Sequence, residues 1–259
     1  MTTVHKEDLA RNWLRRYTGS GPDELGSWIL LTNFQNYVDT FAERFGVPVK
    51  GRGGPMTSAT SPTGLSIINF GIGSANAATV MDLLTAIEPE GVLFLGKCGG
   101  LKRSTEIGHF VLPIAAIRGE GTSNDYLPRE VPAMPSFKLH KHVSQILVER
   151  SLEYRTGVVY TTNRRVWEHD EEFKQYLRKL RVLAIDMETA TLFITGFANG
   201  IARGALLLVS DRPMVPEGIK TEKSDRSVTA QYARIHLELG IEAMSRIGQE
   251  GEPIKHFTY

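Results

Sequence analysis

The sequence predicts an α/β protein with a mixed or parallel sheet, and three observations carry that prediction. Apolar, β-branched runs recur along the 259 residues, and several are continuous rather than alternating, as expected for strands covered on both faces. Helix-length amphipathic stretches separate them. Hydrophobic residues at 41% and charged residues at 23% supply one sizeable core in an ordinary globular chain, so residues 1–259 are expected to form a single domain.

The elements follow in order. Trp28 to Leu31 reads as the first strand and 34–46 as the helix after it. A second strand, Leu65 to Phe70, runs into a glycine turn and a helix over 75–87. Strands at Val92 to Leu95 and Phe110 to Ile114 precede a helix over 137–151. Val158 to Tyr160, a helix over 169–180, Val182 to Ile185, a helix over 188–199, Ala205 to Val209 and a helix over 225–247 complete the series. There is no internal repeat and no low-complexity tract. Two long connections stand out: 118–135, with Gly119, Gly121, Pro128, Pro132 and Pro135, and 212–224, with Pro213, Pro216 and Gly218. Long connections in compact domains are usually functional or disordered. The second directly follows Asp211 and is placed either to close over a cleft as a lid or to serve as a plain surface loop.

Composition excludes several classes. A net charge of +1 offers no general surface for nucleic acid or membrane. A single cysteine, Cys98, rules out a disulfide framework. The seven histidines are scattered, with His140 and His142 the nearest pair, and no metal-ligand set emerges, so no metal is expected. The opening residues, Met1 to Asp8, lack the apolar stretch of a signal peptide, and no apolar run approaches a membrane span, which points to the cytoplasm.

The candidate chemistry lies where strands hand over to helices. In open α/β sheets ligands bind beyond the carboxyl ends of strands. Glu188, in Asp186-Met187-Glu188-Thr189-Ala190, and Asp211, in Val209-Ser210-Asp211, both sit at such ends. If one carboxyl stays ionised while the other is desolvated enough to hold a proton, the pair can anchor a sugar hydroxyl and protonate a leaving group. The alternative is that Asp186 and Glu188 merely favour a helix start and Asp211 a turn. Phe70-Gly71-Ile72-Gly73-Ser74 lets backbone N–H groups approach an anion or sugar oxygen. It lacks a dinucleotide fingerprint and a Walker lysine, so no NAD or ATP cofactor is expected. Gly96-Lys97-Cys98-Gly99-Gly100 reads as a second strand-to-loop turn, with Lys97 able to meet phosphate or to be solvated, and Cys98 a packing residue rather than a nucleophile. In Thr161 to His169, Trp167 suits stacking on a heterocycle or a place in the core; Arg164 and Arg165 suit a phosphate or the solvent.

Taken together and in order, Phe70-Gly71-Ile72-Gly73, Gly96 to Leu101, Asp186 to Ala190 and Ser210-Asp211 resemble the purine nucleoside phosphorylase and nucleosidase superfamily, and within it the branch that hydrolyses AMP. The likeness runs from about Ile29 to Ile247. It implies a three-layer α/β/α sandwich with a mixed central sheet, and a reaction in which water splits the N-glycosidic bond of AMP into adenine and ribose 5-phosphate. By the same resemblance, Asp211 donates a proton or strong hydrogen bond to N7 of the purine, with a pKa raised by burial. Glu188 grips the ribose hydroxyls, Met187 packs on the sugar, Trp167 stacks on the base and Gly73 lies against the substrate. Phosphorylases of the family carry an arginine where this chain has Phe94, near Lys97. A phenylalanine cannot hold orthophosphate, so water is expected as the nucleophile, with Lys97 supporting the substrate phosphate. Asn33, in Thr32-Asn33-Phe34, falls about where related nucleosidases activate water with a glutamate. The resemblance further implies a purine nucleotide as the partner molecule and a homo-oligomer, a hexamer being favoured. In one departure from it, longer members of the branch carry an additional N-terminal domain, and with 27 residues before the first expected strand here, control through such a domain is expected to be missing.

Overall fold

The computed structural model describes residues 5–250. Its strands are β1 (Trp28–Thr32), β2 (Thr57–Thr60), β3 (Leu65–Asn69), β4 (Gly91–Gly100), β5 (Phe110–Gly119), β6 (Tyr154–Thr162), β7 (Ala184–Asp186) and β8 (Arg203–Asp211). Its helices are α1 (Lys6–Thr18), α2 (Gln35–Phe45), α3 (Ser74–Leu83), α4 (Phe137–Glu149), α5 (Glu171–Leu180), α6 (Thr189–Ala198) and α7 (Glu222–Glu250).

All eight strands join one mixed sheet. β1 pairs in parallel with β3 and β4, β4 with β8, and β6 with both β5 and β7. The β2–β3, β4–β7 and β5–β8 pairs are antiparallel. Because β4 bonds to both β7 and β8, the strands β4, β8, β5, β6 and β7 close a ring from which β1, β3 and β2 extend. Closure brings the ends of β4, β7 and β8 to one place.

Two cores explain the continuous apolar runs. Along β1, Ile29 and Leu31 pack with α1, α3 and α6, while Leu30 packs with α2, α4 and α7. Val92 and Phe94 of β4 face the first core and Leu93 and Leu95 the second; Leu207 and Leu206 of β8 divide in the same way. Successive side chains of a strand point to opposite faces, so a strand covered by helices on both sides is apolar at every position. This is the three-layer arrangement. A smaller cluster of Tyr160, Trp167, Leu177, Val182 and Ile185 lies under α5.

The structure departs from the sequence reading in several places. α1 and β2 were not anticipated. β2 is Thr-Ser-Ala-Thr at the edge of the sheet, with no apolar run to reveal it. β4 does not end at Leu95: it continues through Gly100, so the expected strand-to-loop turn around Lys97 is strand. β5 likewise runs to Gly119, into the first expected long connection. The rest of that connection is held by Arg118, whose guanidinium donates to the carbonyls of Ser123, Leu127, Pro128 and Val131. Among the described residues no helix is long and apolar enough to cross a membrane.

Candidate active site

A cleft of about 210 Å³ opens at the ends of β4, β7 and β8. Its lining includes Asn33, Lys97, Arg164, Arg165, Trp167, Met187, Glu188 and Asp211. Eight of the nine residues singled out from the sequence therefore meet in one place. The ninth, Gly73, adjoins it through its backbone, because the Gly73 N–H donates to Glu188 Oε1 at 2.8 Å. Gly73 has φ +98°, a conformation that side-chain-bearing residues rarely adopt. The next residue, Ser74, donates its hydroxyl to the carbonyl of Met187 at 2.8 Å, which ties the glycine turn to the Met187-Glu188 segment.

β7 ends in Asp186, and Glu188 is the residue immediately before α6. Asp186 is a structural anchor: its carboxylate accepts from the hydroxyls of Thr161 and Thr189 and from the N–H groups of Thr189 and Glu188. Glu188 is 2% exposed. Burial and the charge of the neighbouring Asp186 together push its carboxyl up to about 8, against donors from Gly73, Met187 and Asn33. Burial raises the carboxyl of Asp186 as well, against the donors that it accepts.

Asp211 ends β8 and is 8% exposed. Its carboxylate accepts from the Ser210 hydroxyl at 2.6 Å and lies 3.4 Å from the Lys220 ammonium. The β4–β8 register shifts between Cys98 and Gly99, a bulge that brings Gly99 opposite Asp211. A Cβ on Gly99 would sit 2.8 Å from Pro213 and 3.3 Å from Asp211 Oδ2, so glycine here permits the close approach of Pro213 beside this acid. Cys98 is buried and its thiol is pushed up by burial and by the charges of Asp186 and Asp211, the opposite of what a nucleophilic thiolate needs.

The cations differ in how far they are committed. Lys97 projects from β4 and is nearly buried; its ammonium meets Asp225 Oδ1 at 3.0 Å and Thr229 Oγ1 at 2.7 Å and lies 4.4 Å from the centre of the Phe34 ring. Burial lowers its pKa, and the contact with Asp225 opposes that. Arg164 donates to Asp170 at 2.9 Å and covers the Phe173 ring. Arg165 is 3.7 Å from Glu168 with its side chain 60% exposed, and is the freer of the two. Trp167 is 4% exposed and packs edge-on against Phe173, so it serves the core and the cleft wall together.

Sequence reasoning missed Lys220, Asp225 and Thr229. Lys220 falls in the connection 212–224, placed by the sequence as a lid or a plain surface loop, and that connection reaches the cleft through Pro213 and Lys220. No local pattern marked the three residues: Asp225 and Thr229 meet Lys97, 128 and 132 residues away in sequence, and Lys220 reaches Asp211 and Asp225 from an irregular connection.

The mixed sheet and a cleft at its strand ends define a nucleoside phosphorylase-like α/β fold. Residues 29–240 match the family model of the Phosphorylase superfamily, and the chain belongs to that family. AMP nucleosidase from Escherichia coli is 28% identical over 96% of this chain, which spans 60% of that relative's length. The crystal structure of AMP nucleosidase from Bacteroides thetaiotaomicron is 50% identical, with a TM-score of 0.85, over 95% of this chain and 99% of that one. Uridine phosphorylase from Vibrio fischeri, at 21% identity and a TM-score of 0.77 over 87% of this chain and 94% of that one, shares the fold.

Proposed function

We propose that this protein hydrolyses the N-glycosidic bond of AMP to give adenine and ribose 5-phosphate. The observation that carries the reading is the meeting of Glu188 and Asp211 in one cleft, in a chain half identical to an AMP nucleosidase along almost its whole length. Asp211 faces the base and passes a proton, or a strong hydrogen bond, to N7 as the bonding pair of the C1′–N9 bond leaves with adenine. The ribose becomes oxocarbenium-like. Glu188, fixed by Gly73 and Met187, accepts from the ribose hydroxyls, and its negative charge favours the cationic sugar. Water then adds to C1′ and releases its proton to solvent. Asn33 supports this step: its amide donates to Glu188 and its carbonyl oxygen is buried without a partner, leaving an acceptor for water or a sugar hydroxyl. Lys97 and Arg165 supply charge for the 5′-phosphate, Met187 packs on the sugar and Trp167 walls the base. Phe94, 1% exposed and packed on Phe70, leaves no cation at the position where the family's phosphorylases carry their arginine, which supports water over orthophosphate.

The reading includes a homo-oligomer, a hexamer being favoured, working in the cytoplasm. Two exposed apolar residues support association: Ile72, which lines the cleft, is 59% exposed, and Val166, adjacent in sequence to the lining residues Arg165 and Trp167, is 73% exposed. The decisive experiment is a panel of purine nucleosides and 5′-monophosphates incubated with and without orthophosphate, with free base separated by chromatography. Adenine and ribose 5-phosphate from AMP in phosphate-free buffer are expected. A strict requirement for orthophosphate, with ribose 1-phosphate as product, would replace hydrolysis by phosphorolysis; AMP binding without release of base would make the protein a nucleotide binder.

A further inference from the structure

The cleft holds an internal anion. Asp225, in the first turn of α7, places a single carboxylate oxygen, Oδ1, 3.0 Å from the Lys97 ammonium and 3.7 Å from the Lys220 ammonium. Lys220 also contacts Asp211, so two cations and two carboxylates alternate across the cleft. The members differ in freedom. The Lys97 side chain is 4% exposed and rises from the middle of β4, whereas the Asp225 side chain is 40% exposed at the start of a helix that follows an irregular connection. Lys97 also has the Thr229 hydroxyl as a partner; that hydroxyl donates to the Asp225 backbone carbonyl, so it does not use the Asp225 carboxylate.

We propose that Asp225 acts as a stand-in for the phosphoryl group of the substrate: it occupies the anion seat between Lys97 and Lys220 in the free protein and is displaced from it when a phosphate ester binds. Three physical points support this. A buried ammonium is costly without a counter-charge, and Asp225 supplies one while the cleft is empty. A phosphoryl oxygen and a carboxylate oxygen make equivalent charge-assisted bonds to an ammonium, so the one can replace the other. A phosphate dianion brought beside an unmoved Asp225 would meet like charge across the same two ammonium groups. Displacement leaves two ammonium groups facing two negative charges. A nucleoside without phosphate does not displace Asp225, so the exchange selects for nucleotides. Lys220 touches both the seat and Asp211, so filling the seat is also sensed beside the acid that faces the base.

The inference rests on the reading of the cleft as a nucleotide site, and the test separates the two by measuring binding without turnover. Ribose 5-phosphate and ribose are titrated calorimetrically into the wild type and Asp225→Asn. Removing the competing charge is expected to tighten ribose 5-phosphate binding about tenfold and to leave ribose unchanged. Weaker or unaltered ribose 5-phosphate binding in a folded Asp225→Asn overturns the proposal, the former outcome making Asp225 a scaffold for Lys97. If that variant fails to fold, the wild type crystallised with ribose 5-phosphate decides: a phosphoryl oxygen on Lys97 with Asp225 moved away supports the exchange, and Asp225 still bonded to Lys97 refutes it. Failure of the wild type to release adenine from AMP sinks the proposed function and leaves the binding result standing on its own.

Discussion

Asp186 and Glu188 are both buried and separated by one residue, yet Asp186 accepts four hydrogen bonds from Thr161, Thr189 and the Glu188 N–H, while Glu188 is pushed up to about 8 by burial and by the charge of Asp186. The first is fixed by its donors, and the second is left titratable at the heart of the cleft. A group raised from 4.5 in the unfolded chain to about 8 in the folded one favours folding below the lower value and costs stability as pH rises through the upper. Ionised Glu188, which the proposed chemistry needs, is therefore the less stable form of the free protein. The expected outcome is a kcat/KM for AMP that rises with pH through an apparent pKa near 8. Glu188→Gln should lose the reaction and yet melt higher than the wild type, by a margin that grows from acid to alkaline buffer. A pH-independent kcat/KM, or a variant that melts lower throughout, would remove Glu188 from this role.

Asp211 carries the leaving-group step in the proposed reaction, and its surroundings are built for a fixed carboxyl: Ser210 donates to it, Lys220 pairs with it and Gly99 makes room for it. Asp211→Asn preserves the shape and removes the proton. A reduction in kcat of roughly 10²- to 10⁴-fold, with KM changed little, is expected for the loss of a general acid. Substrates whose base departs without protonation should be affected least. Measuring kcat for AMP and for an AMP analogue with an activated leaving group checks both statements, and equal losses for the two would count against proton donation.

Much of this was legible in the sequence, for identifiable reasons. The runs of β1, β4 and β8 stood out because both faces of those strands are covered, so Leu30 and Leu31, or Leu206 and Leu207, are apolar in succession. Glu188 and Asp211 stood out because apolar strands end beside them. β2 did not, because an edge strand reading Thr-Ser-Ala-Thr carries neither an apolar run nor alternation. The extension of β4 through Gly100 was hidden by its glycines, which suggest a turn; here they are needed for close approach, of Gly99 to Pro213 and Gly100 to Thr105. Nor does a spacing rule reveal that Lys97 would be neutralised by Asp225 or that Lys220 would reach Asp211. Such pairs depend on the closure of the sheet and the path of the chain into α7.

His236 offers a test of the second core that is independent of the reaction. It is fully buried; its Nδ1 is 2.9 Å from the Tyr37 hydroxyl and its Nε2 is 2.9 Å from the Leu206 carbonyl. A carbonyl can only accept, so Nε2 carries the proton and Nδ1 accepts from Tyr37. Burial, helped by the charge of Lys97 and opposed by the hydrogen bond to Leu206, lowers the imidazole from 6.5 to about 4. With its folded pKa below the unfolded one, His236 binds a proton more readily in the unfolded chain. Its contribution is therefore fully present above 6.5 and is lost as pH falls through that value toward 4. The full swing corresponds to roughly 3 kcal/mol. Urea unfolding of the wild type and His236→Gln across this interval is expected to show the wild type's advantage shrinking steadily with acidity. An advantage constant with pH would mean that the imidazole does not titrate between the two states as its burial requires.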